Sequence, residues 1–282
     1  MPGPVPVPEA LLVPMRLVDA PMSQLVELCN DSGCDMAQKV DGVRAMVVVD
    51  DGVARGVNRR GEPAGLPGPV VAACRALPAG RFVIDGELLG DTVWAFDLVA
   101  CPGGLVGPGD PYRQRRAVLE TLVPAVFGPA GPVRLLAVLG DAPAKLDAAR
   151  RLLSVAAEGV VFRRLDAPYR PGVSSEGVLR VKFRHTVDCV VMARGVGGKD
   201  NLLVGCYDDG GRLVPVAEVT ACAGDGSRVK VNDVVEVTYL HATAAGRLRH
   251  PTLPRLRTDK APAECVIAQL VVGTRDVVDW AV

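Results

Sequence analysis

The apolar residues of this chain come in short runs cut by glycine, proline or aspartate, and that texture limits the fold more than any other feature. With 31 glycines and 23 prolines among 282 residues, few stretches suit a long helix. Val43–Val49, a turn at Asp50-Asp51-Gly52, and Val53–Val57 predict a hairpin. Arg81–Leu89, Val93–Leu98, Glu158–Arg163, Val178–Phe183 and Val187–Val191 predict further strands. Met22–Cys29, Val70–Leu77, Tyr112–Leu122 and Ala144–Ala157 are expected as helices, and residues 101–110 as a loop. Beyond about residue 186 the chain is almost all short strands: Leu202–Cys206, Leu213–Val219, Val234–Leu240 and Cys265–Val272. That stretch fits a small five-stranded barrel, and a domain boundary is expected near Thr186. The first ten or so residues, with Pro2, Pro4, Pro6 and Pro8, read as an extended arm.

Composition narrows the function classes. Lys plus Arg and Asp plus Glu are 32 each, so the net charge is zero, and apolar residues make up 49%. Such a chain is not disordered. No run approaches the roughly 18 apolar residues of a membrane span, and the start MPGPVPVPEALLVP lacks the basic residues of a secretory signal. The eight cysteines (29, 34, 74, 101, 189, 206, 222, 265) form no CxxC pair. They point to reduced thiols in a cytoplasm, not to a zinc site or a disulfide framework. Balanced charge alone speaks against a nucleic-acid partner. The charge is segregated, however: Arg247–Lys260 carries five basic residues and one acid, and Tyr112–Arg116 carries three arginines. Those arginines, Arg113, Arg115 and Arg116, read as a solvated helix face. His185, His241 and His250 have no nucleophile beside them in the sequence and are expected to be structural.

The chemistry starts at Lys39-Val40-Asp41-Gly42-Val43-Arg44. A lysine is a nucleophile only once its ammonium has lost a proton, and neighbouring cations or a metal favour that loss. Gly42 would let the backbone turn sharply and approach a phosphate. Further segments follow in order: Asn58-Arg59-Arg60-Gly61, Asp85-Gly86-Glu87, Trp94-Ala95-Phe96-Asp97, Tyr112–Glu120, Glu158-Gly159-Val160-Val161, Arg180-Val181-Lys182 and Arg257-Thr258-Asp259-Lys260.

This ordered set resembles the signatures of the covalent nucleotidyltransferases: ATP-dependent DNA ligases, RNA ligases and mRNA capping enzymes. Val181–Val191 and Gly246–Lys260 are similar to the corresponding segments of small bacterial and phage ATP-dependent DNA ligases. The resemblance implies an α+β fold. An ATP-grasp-like nucleotidyltransferase (adenylation) domain of antiparallel sheets with helices is expected over residues 1–185, and an OB-fold β-barrel over 186–282. The 38 residues before Lys39 are too few for a large N-terminal DNA-binding domain, so a two-domain core is expected. The implied activity is the sealing of nicks in duplex DNA with ATP and Mg²⁺, or Mn²⁺ in its place. An RNA ligase or capping-type guanylyltransferase is the alternative, and a nucleic-acid-binding module with dead chemistry is the third reading. A monomer is expected, in the cytoplasm at the nucleoid or in a host cytoplasm if phage-encoded. Its partner would be nicked double-stranded DNA, with room for a DNA-tethering protein and no membrane, in replication, repair or recombination.

By the same resemblance Lys39 is the nucleophile. Arg44, Arg180 and Lys182 would surround the α-phosphate, and Glu158, then Asp41 and Glu87, would hold the metal. Glu87 is also the candidate for the ribose, Phe96 for stacking on adenine, and Arg59 for the nick phosphate or nucleotide. Gln38 lends its backbone to adenine recognition, and Asp85 belongs to the Asp-Gly-Glu strand end. Arg257, Asp259 and Lys260 would orient the pyrophosphate. Three positions depart from the pattern: Ala37 where a polar residue often reads the adenine amino group, Arg180 for the first lysine of Lys-x-Lys, and Asn58 for Ser or Thr.

Overall fold

The computed structural model describes residues 12–196, 201–220 and 229–273. The expected N-terminal arm and Cys222 lie outside the described residues. Among the described residues the chain divides into two compact units: one holds residues 12–150 together with Gly159–Val181, the other holds Arg151–Glu158 and the described residues of 182–273.

In chain order the first unit opens with β1 (Arg16–Ala20), α1 (Leu25–Asn30), β2 (Cys34–Gln38), β3 (Val43–Asp50), β4 (Val53–Val57) and β5 (Pro63–Ala64). It continues with α2 (Gly68–Ala73), β6 (Arg81–Leu89), β7 (Thr92–Ala100), α3 (Tyr112–Phe127) and β8 (Val133–Leu135). After α4 (Ala142–Ser154) come β9 (Gly159–Arg164) and β10 (Ser174–Lys182). A six-stranded sheet runs β5-β4-β3-β6-β7-β8 and a four-stranded sheet runs β1-β10-β9-β2. Both are mixed, since β7 pairs β8 and β1 pairs β10 in parallel while β2 pairs β9, and β3 pairs β4 and β6, in antiparallel fashion. The sequence had no clear mark of β1, β2 or β8.

β3 reads as an unbroken apolar run because both of its faces are covered. Val47 and Val49 join Ile84, Leu98 and the helix residues Val70 and Leu119 in one core. Met46 and Val48 face the other way, into a core shared with Val83, Val99, Val161 and Val178. The second core therefore lies between the two sheets.

A bulge interrupts this alternation on β7. Asp85 pairs with Asp97 and Gly86 with Ala95, so Phe96 has no partner across the ladder. Ala95 and Leu98 consequently share the helix-side core, while Phe96 and Val99 both turn to the inter-sheet side. Asp97, between Phe96 and Leu98, turns to that side as well.

The second unit contains β11 (His185–Arg194), β12 (Asn201–Tyr207), β13 (Leu213–Thr220), β14 (Val234–Tyr239) and β15 (Thr252–Leu256). They form one antiparallel five-stranded sheet in the order β13-β12-β11-β14-β15. Its core gathers Val187, Val204, Val219, Val235, Val237 and Tyr239. Among the described residues no ladder joins β13 to β15, so the sheet is not a closed barrel. The segment before β15 reaches β13 instead, where the Leu248 N–H donates to the Val216 carbonyl at 3.0 Å. Cys265–Val272, expected as a strand, holds a 3₁₀ turn at Ile267–Gln269 with single bridges at Val266 and Val272. Ile267 and Leu270 both pack on the core, and a spacing of three needs a helical turn. No described helix is long and apolar enough to cross a membrane.

Gly42 is required for a reason other than a sharp turn. A Cβ there would collide with the Leu88 carbonyl and stand 2.9 Å from Cγ of Glu87, whereas Gly65 has nothing within 4 Å. Gly42→Ala is therefore expected to lower stability by about 1–3 kcal/mol in urea unfolding, with Gly65→Ala close to neutral.

Candidate active site

The inter-sheet face of the six-stranded sheet positions the candidate residues of the first unit. Lys39 directly follows β2, and its N–H donates to the Gly159 carbonyl at 2.8 Å. The other end of β2 is held by Lys145, whose Nζ donates to the carbonyls of Asp31 (2.7 Å) and Cys34 (2.9 Å). Across the cleft, Arg44 on β3 stands in register opposite Glu87 on β6.

The Arg44 guanidinium forks onto the buried Asp85 carboxylate, Nε to Oδ1 at 2.7 Å and Nη2 to Oδ2 at 2.6 Å. The Tyr169 hydroxyl donates to the same Oδ2 at 2.6 Å and accepts from the Met15 N–H at 3.0 Å. Burial opposes the charge on Arg44, but Asp85 outweighs it through its charge and hydrogen bonds, so this arginine holds its proton even more tightly than usual. A second fork lies one strand over. Arg115 Nε and Nη2 donate to Asp97 Oδ1 and Oδ2 at 2.8 and 2.9 Å, and Nη1 donates to the carbonyls of Asp110 and Ala167.

This corrects the reading of the α3 arginines as a solvated face. Arg115 is 1% exposed, and Arg116 is buried with donors to Glu120 Oε1 and the Leu136 carbonyl, both at 2.8 Å. Only Arg113 of the three is exposed. The first turn of α3 inserts beside the sheet edge because two buried acceptors wait there, a signal that helical periodicity does not carry.

Phe96, expected to stack on adenine, is nearly fully buried. Arg44 Cζ lies 4.6 Å and Arg163 Cζ 4.3 Å from its ring centroid. Arg180 forks onto Asp19 of β1, Nε to Oδ1 at 2.5 Å and Nη2 to Oδ2 at 2.9 Å, the two residues being register partners. Arg59 is exposed on the turn after β4. That turn is tied by Asn58, whose Oδ1 accepts from the N–H groups of Arg60 (2.7 Å) and Glu62 (3.1 Å), so Asn does the work expected of Ser or Thr. Gln38 is buried, while Asp41 and Glu87 are partly exposed in the first unit.

Glu158, Lys182, Arg257, Asp259 and Lys260 belong to the second unit. There Arg257 forks onto Asp259 with both distances 2.8 Å and reaches Asp188 at 2.9 Å. Lys260 Nζ lies 3.8 Å from carboxylate oxygens of Asp188 and Glu264. Among the described residues no three His, Cys, Asp or Glu side chains gather as a metal cage.

No family model matches the chain. A probable DNA ligase of Beutenbergia cavernae is 30% identical over 222 residues, which cover 66% of this chain and 42% of that protein. A probable DNA ligase of Anaeromyxobacter sp. is 32% identical over 209 residues, covering 60% and 39%. The chain thus spans 42% and 39% of the lengths of these two curated relatives. The ligase domain of M. tuberculosis LigD superposes with a TM-score of 0.53 at 25% identity, covering 91% of this chain and 98% of that domain. The chain is a homologue of DNA ligases. A Lig E DNA ligase shares the fold at a TM-score of 0.62 and 18% identity, covering 86% and 99%.

Reading this DNA-ligase homologue by its motifs reaches Lys39, Arg44, Asp85, Glu87 and Phe96 but misses Asp97, Arg115, Tyr169 and Arg163. Asp97 and Arg115 were visible as members of quoted segments, with no sign that they pair. Asp97→Asn leaves the Arg115 charge buried and uncompensated, so a loss of about 3–5 kcal/mol in urea unfolding is expected, larger than for any exposed carboxylate.

Proposed function

We propose that this chain is an ATP-dependent DNA ligase that seals nicks in duplex DNA through a covalent lysyl-AMP. Lys39 Nζ attacks the α-phosphorus of ATP, and pyrophosphate leaves. The AMP then passes to the 5′-phosphate of the nick, and the 3′-hydroxyl attacks that phosphate, forms the phosphodiester bond and frees AMP. Each step moves a phosphoryl centre, so positioning and charge neutralisation dominate. The observation that carries the reading is the site face itself: Lys39 at the end of β2, with Arg44, Glu87 and Phe96 on adjoining strands that share one face. The likeness to ligase sequences and to the LigD ligase domain supports it, as does a solved mycobacterial DNA ligase D complexed with ATP, 25% identical with a TM-score of 0.50.

Within this reading residues 1–185 form the adenylation domain and 186–282 an OB-type domain. Arg44, Arg180 and Lys182 neutralise the α-phosphate. Phe96 bounds the base pocket, and Arg59 meets the nick. Arg257, Asp259 and Lys260 orient the leaving pyrophosphate. Mg²⁺ usually takes one or two carboxylates and completes its shell with phosphates and water. Glu158, Asp41 and Glu87 have the oxygen donors such a site requires.

Incubation with ATP and Mg²⁺ followed by intact-protein mass spectrometry should give an adduct one AMP heavier, and Lys39→Ala should abolish it. No adduct from the wild-type protein would overturn the enzyme reading. Sealing of nicked RNA but not nicked DNA would replace it with an RNA ligase. Because backbone phosphate contacts should carry DNA binding, affinity for a nicked duplex should fall by at least about tenfold between about 50 and 200 mM salt. A flat titration would count against that mode of binding.

A further inference from the structure

Arg163, on β9, is 5% exposed. Among the described residues its guanidinium makes no hydrogen bond and no ion pair. The acceptors around it are already engaged or out of reach. Asp85 is taken by Arg44 and Tyr169, and Asp97 by Arg115. Asp35, its register partner on β2, forms no ion pair with it. Arg44 brings a second cation onto the same Phe96 ring. The Tyr112 hydroxyl, whose ring centroid lies 6.0 Å from Arg163 Cζ, is also buried without a hydrogen-bond partner. A guanidinium whose donors are open, beside a buried hydroxyl without a hydrogen-bond partner, marks a position that can take a bound group.

The strand register says where that position is. Val161 pairs with Ala37 and Arg163 with Asp35, so alternation puts Ala37, Val161 and Arg163 on one face. Ala37 and Phe96 share a cluster on that face. Lys39 lies two residues further along the chain from Ala37. Arg163 therefore sits on the face that leads to Lys39, opposite Asp35 and one same-face step beyond Ala37, which presents only a methyl group.

We propose that Arg163 is a base-contacting residue, whose guanidinium donates to a ring-nitrogen acceptor of adenine where Ala37 offers no polar side chain. The proposal rests on the nucleotide reading given above. A guanidinium only donates, so it can meet N1, N3 or N7 of the base but not the 6-amino group.

The test uses the full chain and follows AMP-adduct formation with ATP, GTP and the 1-deaza, 3-deaza and 7-deaza analogues of ATP. In the wild-type protein one analogue should raise the apparent KM about 10- to 100-fold over ATP, the value of one charge-assisted hydrogen bond. Arg163→Gln should raise the KM for ATP by a similar factor and erase the discrimination among the three analogues. Equal KM values for all three analogues in the wild-type protein would overturn the proposal without any variant. So would an unchanged analogue penalty in a folded Arg163→Gln, or a wild-type preference for GTP. No adduct with any nucleotide removes the enzyme reading and this one together, whereas an adduct without discrimination removes only this one.

Discussion

Two buried carboxylates, Asp85 and Asp97, are register partners on β6 and β7, and the first unit is arranged around keeping them apart electrostatically. Side by side and out of water, two uncompensated anions would repel strongly. Each is instead closed by a guanidinium fork, Asp85 by Arg44 from β3 and Asp97 by Arg115 from α3. The forks fix more than charge. Arg44 is held over Phe96, the first turn of α3 is drawn to the sheet edge, and Tyr169 links Asp85 to the backbone at Met15. The bulge at Phe96 is the geometric condition for all of this. Under unbroken alternation Asp97 would face the helix side with Ala95, away from the inter-sheet face that its register partner Asp85 occupies.

The parts of the fold with a local signature were legible in the sequence. The β3–β4 hairpin is written as two valine-rich runs around Asp-Asp-Gly, and β6 and β7 as apolar runs around a Gly-Asp turn. β1 and β2 were not legible, because RLVDA and CDMAQ mix polar and apolar residues at the edges of a sheet whose partners are far along the chain. The same limit applies to the site. A motif names Lys39, Arg44 or Asp85 from its own few residues, but the Asp97–Arg115 and Asp85–Tyr169 contacts join residues 18 and 84 positions apart. Nothing local distinguishes Arg115, which is buried, from Arg113, which is exposed. Gly42 shows a third case: the residue type was singled out, but close approach to the β6 backbone explains it, not a turn.

The pairing pattern also gives the zero net charge a local meaning. Arg44, Arg180 and Arg257, three arginines assigned to phosphate handling in the proposed function, are each forked onto a carboxylate: Asp85, Asp19 and Asp259. A guanidinium carries five N–H donors, and a fork onto one carboxylate uses two. The remaining donors keep a fixed direction set by the fork, so an incoming phosphate meets oriented hydrogen bonds rather than a mobile excess of positive charge. Preorganised donors lose less freedom on binding than free arginines would, at the cost of a weaker long-range pull on anions. Arg163 has no such carboxylate, and it is also more buried than a phosphate-facing arginine needs to be. An arginine without a fork, on a face whose carboxylates Asp85 and Asp97 are already taken by other arginines, is suited to a neutral acceptor. In the proposed function that difference would separate the base end of the site from its phosphate end.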